Sequence, residues 1–432
     1  MKKLSILLLS LLLITSCQDD SRKEVIDTLA EKYVKLVLAI GPYNSSFVDA
    51  YFGPEAWKPT TPPADTLPSA DLIKQADQLL NDCSQLSSGK LTKDEQYRLT
   101  WLQKQLTAVK TKVEMMGGKT LSFNQEATLL YDANPPTYTA AHFDSLLNKL
   151  TTEIPGSGSL SERYASYAKQ FIIPQKKLDT VFNVAIAEAR KRTNQYFQLP
   201  QDENFTLEYV INKAWSGYNY YQGNGQSKIQ LNTDFPISIE RVIDLSCHEG
   251  YPGHHVFMTL LDLNLYQKNG WVEFSIYPLF SPLSLISEGS ANYGIEVAFP
   301  GTERVRYERD VLFPLAGIDS AQATHYYAIQ DLRAKLNYAD NEAARNYLNG
   351  TFTREEAATW LEKYQLVPHD KALQRTRFFD EYRSYVINYN LGKDLTARHI
   401  TSLGGTADQP EKRWSLFKAL LSRPPVPSEV QK

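Results

Sequence analysis

The eight residues His248-Glu249-Gly250-Tyr251-Pro252-Gly253-His254-His255 constrain this chain more than any other stretch. They fall inside a helical pattern over residues 239–264, and they hold three of the seven histidines in the sequence. Imidazole nitrogen and carboxylate oxygen are the ligands zinc favours, and catalytic sites leave one position for water. A carboxylate beside the first histidine can take a proton from that water, the logic of an H-E-x-x-H helix whose histidines lie one turn apart. Here that spacing fails, because Pro252 stands where the second histidine should be. His254 lies six residues after His248, about 9 Å along an unbroken helix. Two ligands at ~2.0–2.1 Å from one zinc cannot be that far apart. The helix must therefore be interrupted. Pro252 lacks an N–H, and Gly250 and Gly253 tolerate unusual backbone angles. A break at 250–253 that folds His254 back over His248 is expected. The bland alternative is a structural histidine cluster at a helix end. Glu249, the built-in interruption and a second acidic motif favour a metal.

That second motif is Ser287-Glu288-Gly289-Ser290-Ala291-Asn292-Tyr293-Gly294-Ile295-Glu296, in a helical pattern over 282–299. Glu288 is the expected third ligand. Glu296, two turns on and about 12 Å away along the axis, is an alternative ligand or a group that orients a ligand histidine from behind. Cys247 adjoins His248, but adjacent helical residues point about 100° apart, so it reads as a small buried residue.

The chain starts with Lys2 and Lys3, then an apolar run from Leu4 to Ile14 that is too short to span a bilayer. Ile14-Thr15-Ser16-Cys17 resembles a bacterial lipobox, with Cys17 the lipid-attachment residue. Residues 1–16 are thus expected to be a signal peptide, and 17–24 a lipidated tether. The expected location is the envelope of a Gram-negative bacterium, at the outer membrane, on its periplasmic side or at the cell surface. Asp19 and Asp20, just after Cys17, resemble the surface-export signal of some Gram-negative lipoproteins. With Cys17 lipidated, only Cys83 and Cys247 remain, so a disulfide framework is excluded. Net charge is −3, from 46 basic and 49 acidic residues. No basic stripe marks a nucleic-acid binder.

Helical periodicity recurs over residues 25–40, 70–86, 93–116, 123–131, 140–150, 160–197 (bent at Pro174), 303–337, 341–349, 353–364, 371–389 and 413–421. Thr353 with Glu356 fits a capping box. Residues 42–68, rich in Pro and Thr, read as an extended loop. Strand formers cluster at 205–211, 217–222 and 228–232, with Gly223-Asn224-Gly225 as a hairpin turn. The expected fold is mainly α, with a small antiparallel β-sheet beside the metal-binding helix. Residues 25–432 are expected to form one large catalytic domain, helical over 25–200 and carrying sheet and metal site over 201–432.

These motifs resemble those of the bacterial DUF885 proteins, a domain of unknown function allied to zincin-type metallopeptidases. The family pattern reads H-E-x-x-P-G-H-H, followed by E-G-W-A-x-Y-x-E. VDAYFGPEAW, WSGYNYYQGNGQSKIQLNTDFP and RSYVINYNLG extend the likeness over most of the chain. Here Ser290 replaces the usual Trp, Asn292 an aliphatic residue, and Glu296 stands one place late. Arg383–Gly392 matches P-G-Q-A-x-x-Y-x-x-G, with Tyr385 in place of Gln and with Tyr389 and Gly392 kept. The resemblance implies a zincin-like, largely helical fold, a gluzincin-like peptidase with a catalytic Zn2+ (another divalent ion fits the same donors), and His254 rather than His255 as ligand, with His255 kept as the alternative ligand or a group behind one.

The expected chemistry is hydrolysis of a peptide or peptide-like substrate, with Glu249 as general base. Tyr385 and Tyr389 are candidate oxyanion donors, and Arg377 and Arg383 candidate partners for a substrate carboxylate. With 26 tyrosines in the chain, most are structural. The strand 228–232 is the expected edge on which a substrate lies, with Asn232 and the aromatics of 215–221 lining the cleft. Two rival readings remain: a zinc hydrolase of another amide or ester, and a non-catalytic surface lipoprotein that binds peptide or glycan. Glu249 argues against the latter, since a structural site needs no base and is closed by four protein ligands.

Overall fold

The computed structural model of the chain describes residues 22–431. The leader and the lipobox with Cys17 lie outside them. The described residues are mainly helical and carry five strands: β1 (Val48–Tyr51), β2 (Asn204–Val210), β3 (Gly217–Gly223), β4 (Gln226–Asn232) and β5 (Ile276–Pro278). None of their helices is long and apolar enough to cross a membrane.

The chain divides into two compact units. One takes in the described residues up to Lys119 together with Leu263–Ser281. The helix 22–40 and the helices Ser69–Ser87 and Lys93–Met116 build it. Thr92 and Glu95 close a capping box at the start of the last, satisfying N–H groups that a helix leaves unpaired. In this unit's core Trp101 packs against Phe274, ring centres 4.4 Å apart, and Arg98 forks onto buried Glu273 at 2.6 and 2.9 Å. β1 pairs antiparallel with β5. Residues 42–68 are therefore not all loop: β1 finds its partner more than two hundred residues away, a pairing that local turn signals do not report.

The second unit takes in Thr120–Asp262 and Pro282–Lys432. Its sheet has the order β2-β4-β3. β3 and β4 run antiparallel and are joined through Asn224 and Gly225, both at positive φ (52° and 68°), as a two-residue hairpin loop requires. β2 runs parallel to β4. β4 is thus the central strand, and the expectation that 228–232 offers an edge to a substrate is corrected: both its sides are hydrogen-bonded, and β2 and β3 are the edges.

The helix Pro282–Ala298 is buried along almost its whole length. It lies against the helix Ile387–Ser402, and the two backbones meet at Gly289 and Gly392, where a Cβ on either would collide with the other's main chain. That close approach is why Gly392 is required. Three expected helices prove to be broken. The pattern 160–197 is interrupted at Pro174, not merely bent: Leu160–Ala168 gives way to two short turns before Leu178–Asn194. The pattern 303–337 is divided around Pro314 and Gly317, the latter at φ 75°. The pattern 371–389 is split at Arg383 into His369–Tyr382, a turn, and Ile387–Ser402. In each the apolar positions resume in step beyond the break, so periodicity alone does not reveal it. The Thr353–Glu356 capping box forms as expected.

Candidate metal centre

The helix Glu240–Leu245 widens into a π-turn at Ser246–Gly250, and a new helix starts at His254. Between them the chain doubles back across a cis Tyr251–Pro252 peptide. The Gly253 N–H donates to the Cys247 carbonyl at 2.9 Å, and the Tyr251 N–H to that of Ser246 at 3.1 Å. A Cβ on Gly253 would collide with the carbonyl oxygens of Cys247 and His248, so only glycine lets the chain fold back so tightly. The result is the expected break, and it brings His254 over His248.

The His248 and His254 Nε2 atoms lie 3.1 Å apart. Glu288 Oε2 is 3.2 Å from the first and 3.6 Å from the second. Three ligands held tetrahedrally at ~2.0–2.1 Å from one ion are about 3.3 Å from one another. The triangle therefore fits a small divalent ion. Glu288 is 7% exposed, and its Oε2 has no hydrogen-bond partner, an orphan that a native core seldom tolerates without a reason. Burial pushes its carboxyl up, but the two imidazoles outweigh this and hold it well below the usual carboxylate range. Both histidine side chains keep 13% of their surface exposed, so the triangle is open on one side.

The atoms behind the triangle orient it. The Asn292 amide donates through Nδ2 to the Tyr389 carbonyl at 3.2 Å, so its Oδ1 is the atom 3.1 Å from His248 Nδ1. His248 must donate from Nδ1, which leaves Nε2, the atom nearest Glu288, as the one to face an ion. His254 Nδ1 lies 3.0 Å from Ser287 Oγ. The Tyr385 hydroxyl donates to Glu288 Oε1 at 2.7 Å. Glu249 is 4% exposed. The Asn219 side chain on β3 donates to its backbone carbonyl at 2.8 Å, and its carboxylate reaches β3, where a Cβ on Gly217 would come within 2.7 Å of Oε1.

Several expected site residues lie elsewhere. His255 is fully buried and spends both ring nitrogens, on Ser227 Oγ at 2.9 Å and Glu203 Oε2 at 2.8 Å. It faces away from the triangle, as its neighbour His254 faces in. Glu296 is exposed and paired with Lys393 at 2.6 Å; two helical turns carry it out of the site, and Asn292, one turn beyond Glu288, takes the place behind His248. Arg383 donates to Glu126 at 2.8 Å, and Arg377 is exposed on the helix His369–Tyr382. Asn232 spends its amide on the carbonyls of Lys213 and Trp215, both at 3.0 Å, fixing the loop before β3. Tyr385 is committed to Glu288. Burial and the charge of Glu288 keep the Tyr389 hydroxyl protonated, well above its usual range, and Glu249 adds to the effect. Cys247 is buried as expected, and burial pushes its thiol up, away from ligation. The sequence reading missed Asn292, Ser287, Gly217 and Asn219. Asn292 carried a signal, the i, i+4 spacing from Glu288 that places both on one helix face.

No family model matches the chain, and no curated protein matches it. Two of the solved structures to which the chain shows similarity are bacterial proteins. One is described as "the putative lipoprotein from Colwellia psychrerythraea", at 15% identity and a TM-score of 0.49, covering 84% of this chain and 68% of that one. The other is described as "a putative lipoprotein of unknown function from Shewanella oneidensis", at 13% identity and a TM-score of 0.44, covering 84% and 71%.

Proposed function

We propose that this protein is a zinc-dependent hydrolase of peptide or peptide-like substrates, with His248, His254 and Glu288 as ligands and Glu249 as general base. The observation that carries the reading is the triangle of 3.1, 3.2 and 3.6 Å, open on one side, beside a buried glutamate that is not part of it. A Zn2+ held by His248, His254 and Glu288 would supply Lewis acidity, lowering the pKa of a water toward neutral and polarising a carbonyl. Glu249 accepts the proton as the water oxygen attacks the carbonyl carbon, then hands it to the leaving nitrogen as the C–N bond breaks. Tyr389, kept protonated by its surroundings, donates to the carbonyl oxygen as charge builds there. β3, the edge strand that meets Glu249, replaces β4 as the strand on which an extended substrate lies. Cys17 is the proposed lipid anchor, placing the enzyme in a bacterial envelope.

The test is metal analysis of wild type and Glu249→Gln, paired with digestion of a peptide library. Bound zinc in both, with turnover at least ~100-fold lower in the variant, supports the reading. Zinc in both with no turnover of any peptide or other amide by wild type favours the non-catalytic binder instead.

A further inference from the structure

We propose that Glu203 is the positioning residue that sets the separation of the two histidine ligands, acting through Tyr251 and His255. The inference rests on the metal reading above and deepens it. An unbroken helix would put His248 and His254 about 9 Å apart; their Nε2 atoms lie at 3.1 Å. Residues 251–253 close that gap, and a loop free to relax would hold the ligands apart for part of the time and weaken the site in proportion.

One carboxylate grips both ends of this loop. Glu203, 2% exposed and one residue before β2, accepts from the Tyr251 hydroxyl at 2.7 Å and from His255 Nε2 at 2.8 Å, both on Oε2. Tyr251 precedes Pro252, and His255 follows His254. Arg190, on the helix Leu178–Asn194, covers the other oxygen with Nε at 3.0 Å and Nη2 at 2.5 Å, and Nη2 also donates to the Glu203 carbonyl at 3.1 Å. With its Nε2–H donating to Glu203, His255 is also hydrogen-bonded through Nδ1 to Ser227 Oγ on β4. The loop is thereby fastened to a helix and to two strands. The rings add to the grip: Phe205 lies 5.4 Å from Tyr251 and 5.3 Å from His255. Burial raises the Glu203 carboxyl, and hydrogen bonds from His255, Tyr251 and Arg190 bring it back below its ordinary value.

A buried ion pair alone is weak support for stability, since an apolar pair of the same volume serves as well. This carboxylate differs in what it joins. Its partners straddle a ligand, so its loss is expected to loosen the site more than the fold.

The test uses the full chain and two probes, Zn2+ affinity by chelator competition and the visible ligand-field spectrum with Co2+, both well below the unfolding temperature. Tyr251→Phe should weaken Zn2+ binding about 10-fold and Glu203→Gln about 10–100-fold, the range for partners that orient ligands, with a weakened tetrahedral Co2+ spectrum. Glu273→Gln, which breaks the buried pair with Arg98, should lower the melting temperature and leave both probes at wild-type values. Wild-type affinity and spectrum in Tyr251→Phe, which loses one hydroxyl and keeps the ring, would overturn the proposal even if Glu203→Gln does not fold. Ion binding that His248→Ala abolishes but Tyr251→Phe leaves intact sinks the positioning role alone. A wild type with no histidine-dependent ion binding sinks the metal reading as well.

Discussion

At the scale of single residues, the two tyrosines of the C-terminal motif are four apart and do different work. Tyr385 is hydrogen-bonded to the ligand Glu288. Tyr389 carries a hydroxyl whose proton the charges of Glu288 and Glu249 help to retain, and no hydrogen bond from it to Glu288 is found. Removing each hydroxyl should therefore separate binding of the ion from chemistry. Tyr385→Phe leaves a second Glu288 oxygen without its partner and should lower Zn2+ affinity about 10-fold. Tyr389→Phe should leave that affinity unchanged and lower kcat about 100–1,000-fold, the cost of an oxyanion donor. Chelator competition and steady-state kinetics on both variants check this; equal loss of affinity in the two would show that Tyr389 serves the ion as well. Asn292 belongs to the same scale. Its Oδ1 fixes which nitrogen of His248 faces the triangle. An aliphatic residue there would leave that choice to another group.

At the scale of elements, the π-turn that carries His248 continues the helix Glu240–Leu245, which is anchored from behind by a partly buried charge cluster. Arg304 reaches Asp244 at 2.9 Å and Glu308 at 2.7 Å, and Tyr327 donates to Glu308. Burial raises Glu308 to about 7, more than Arg304 can lower it, whereas Arg304 wins at Asp244 and holds it below its ordinary value. A carboxyl with a raised native pKa binds its proton more tightly when folded. Its contribution is complete below the unfolded value near 4.5 and is lost as pH climbs through about 7. Glu308→Gln cannot titrate. Wild-type stability relative to this variant should fall from pH 5 to pH 7.5, by something on the order of 3 kcal/mol at most, measured by urea unfolding at both pH values. A difference that does not change with pH would refute it. Asp244 acts in the opposite sense, but only below about pH 4, outside that window.

The elements also show what the sequence could and could not reveal. Helices with an apolar face and a capping residue, such as Lys93–Met116 and Phe123–Tyr131, were legible to the residue, because the signal is local. The break between His248 and His254 was legible because two ligands of one ion cannot be a turn and a half apart. The β1–β5 pair was not, since its register depends on residues far along the chain. Nor was the central place of β4: β2 and β3 read alike as strands, and only packing decides which strand lies between the others. Tyr385, Arg383 and Asn232 carried the right chemistry, but their hydrogen bonds go to Glu288, Glu126 and the loop before β3. Pairing of that kind is set by tertiary contact and leaves no mark in spacing.

At the scale of the whole molecule, the proposed ligands come from three points of the chain, 248, 254 and 288, and the tyrosine behind Glu288 from a fourth, almost a hundred residues on. All belong to the unit that holds Thr120–Asp262 and Pro282–Lys432. An ion bound there ties the π-turn, the helix His254–Leu261 and the helix Pro282–Ala298 together, and it binds the folded chain alone. Mass action then makes it a stabiliser: at a free concentration of ~100 times Kd it adds about 2.7 kcal/mol, worth several degrees in melting temperature for a domain of this size. Zn2+ should raise the melting temperature, EDTA should reverse the rise, and His254→Ala should show none of it. Hydrogen exchange gives the map. On addition of Zn2+, protection should increase in Ser246–Gly250, His254–Leu261 and Pro282–Ala298, and stay unchanged in Lys93–Met116, which supplies no ligand. An equal response in all four segments would mean that Zn2+ acts by some route other than this triangle, and an unchanged melting temperature would mean that the three side chains bind no ion at all.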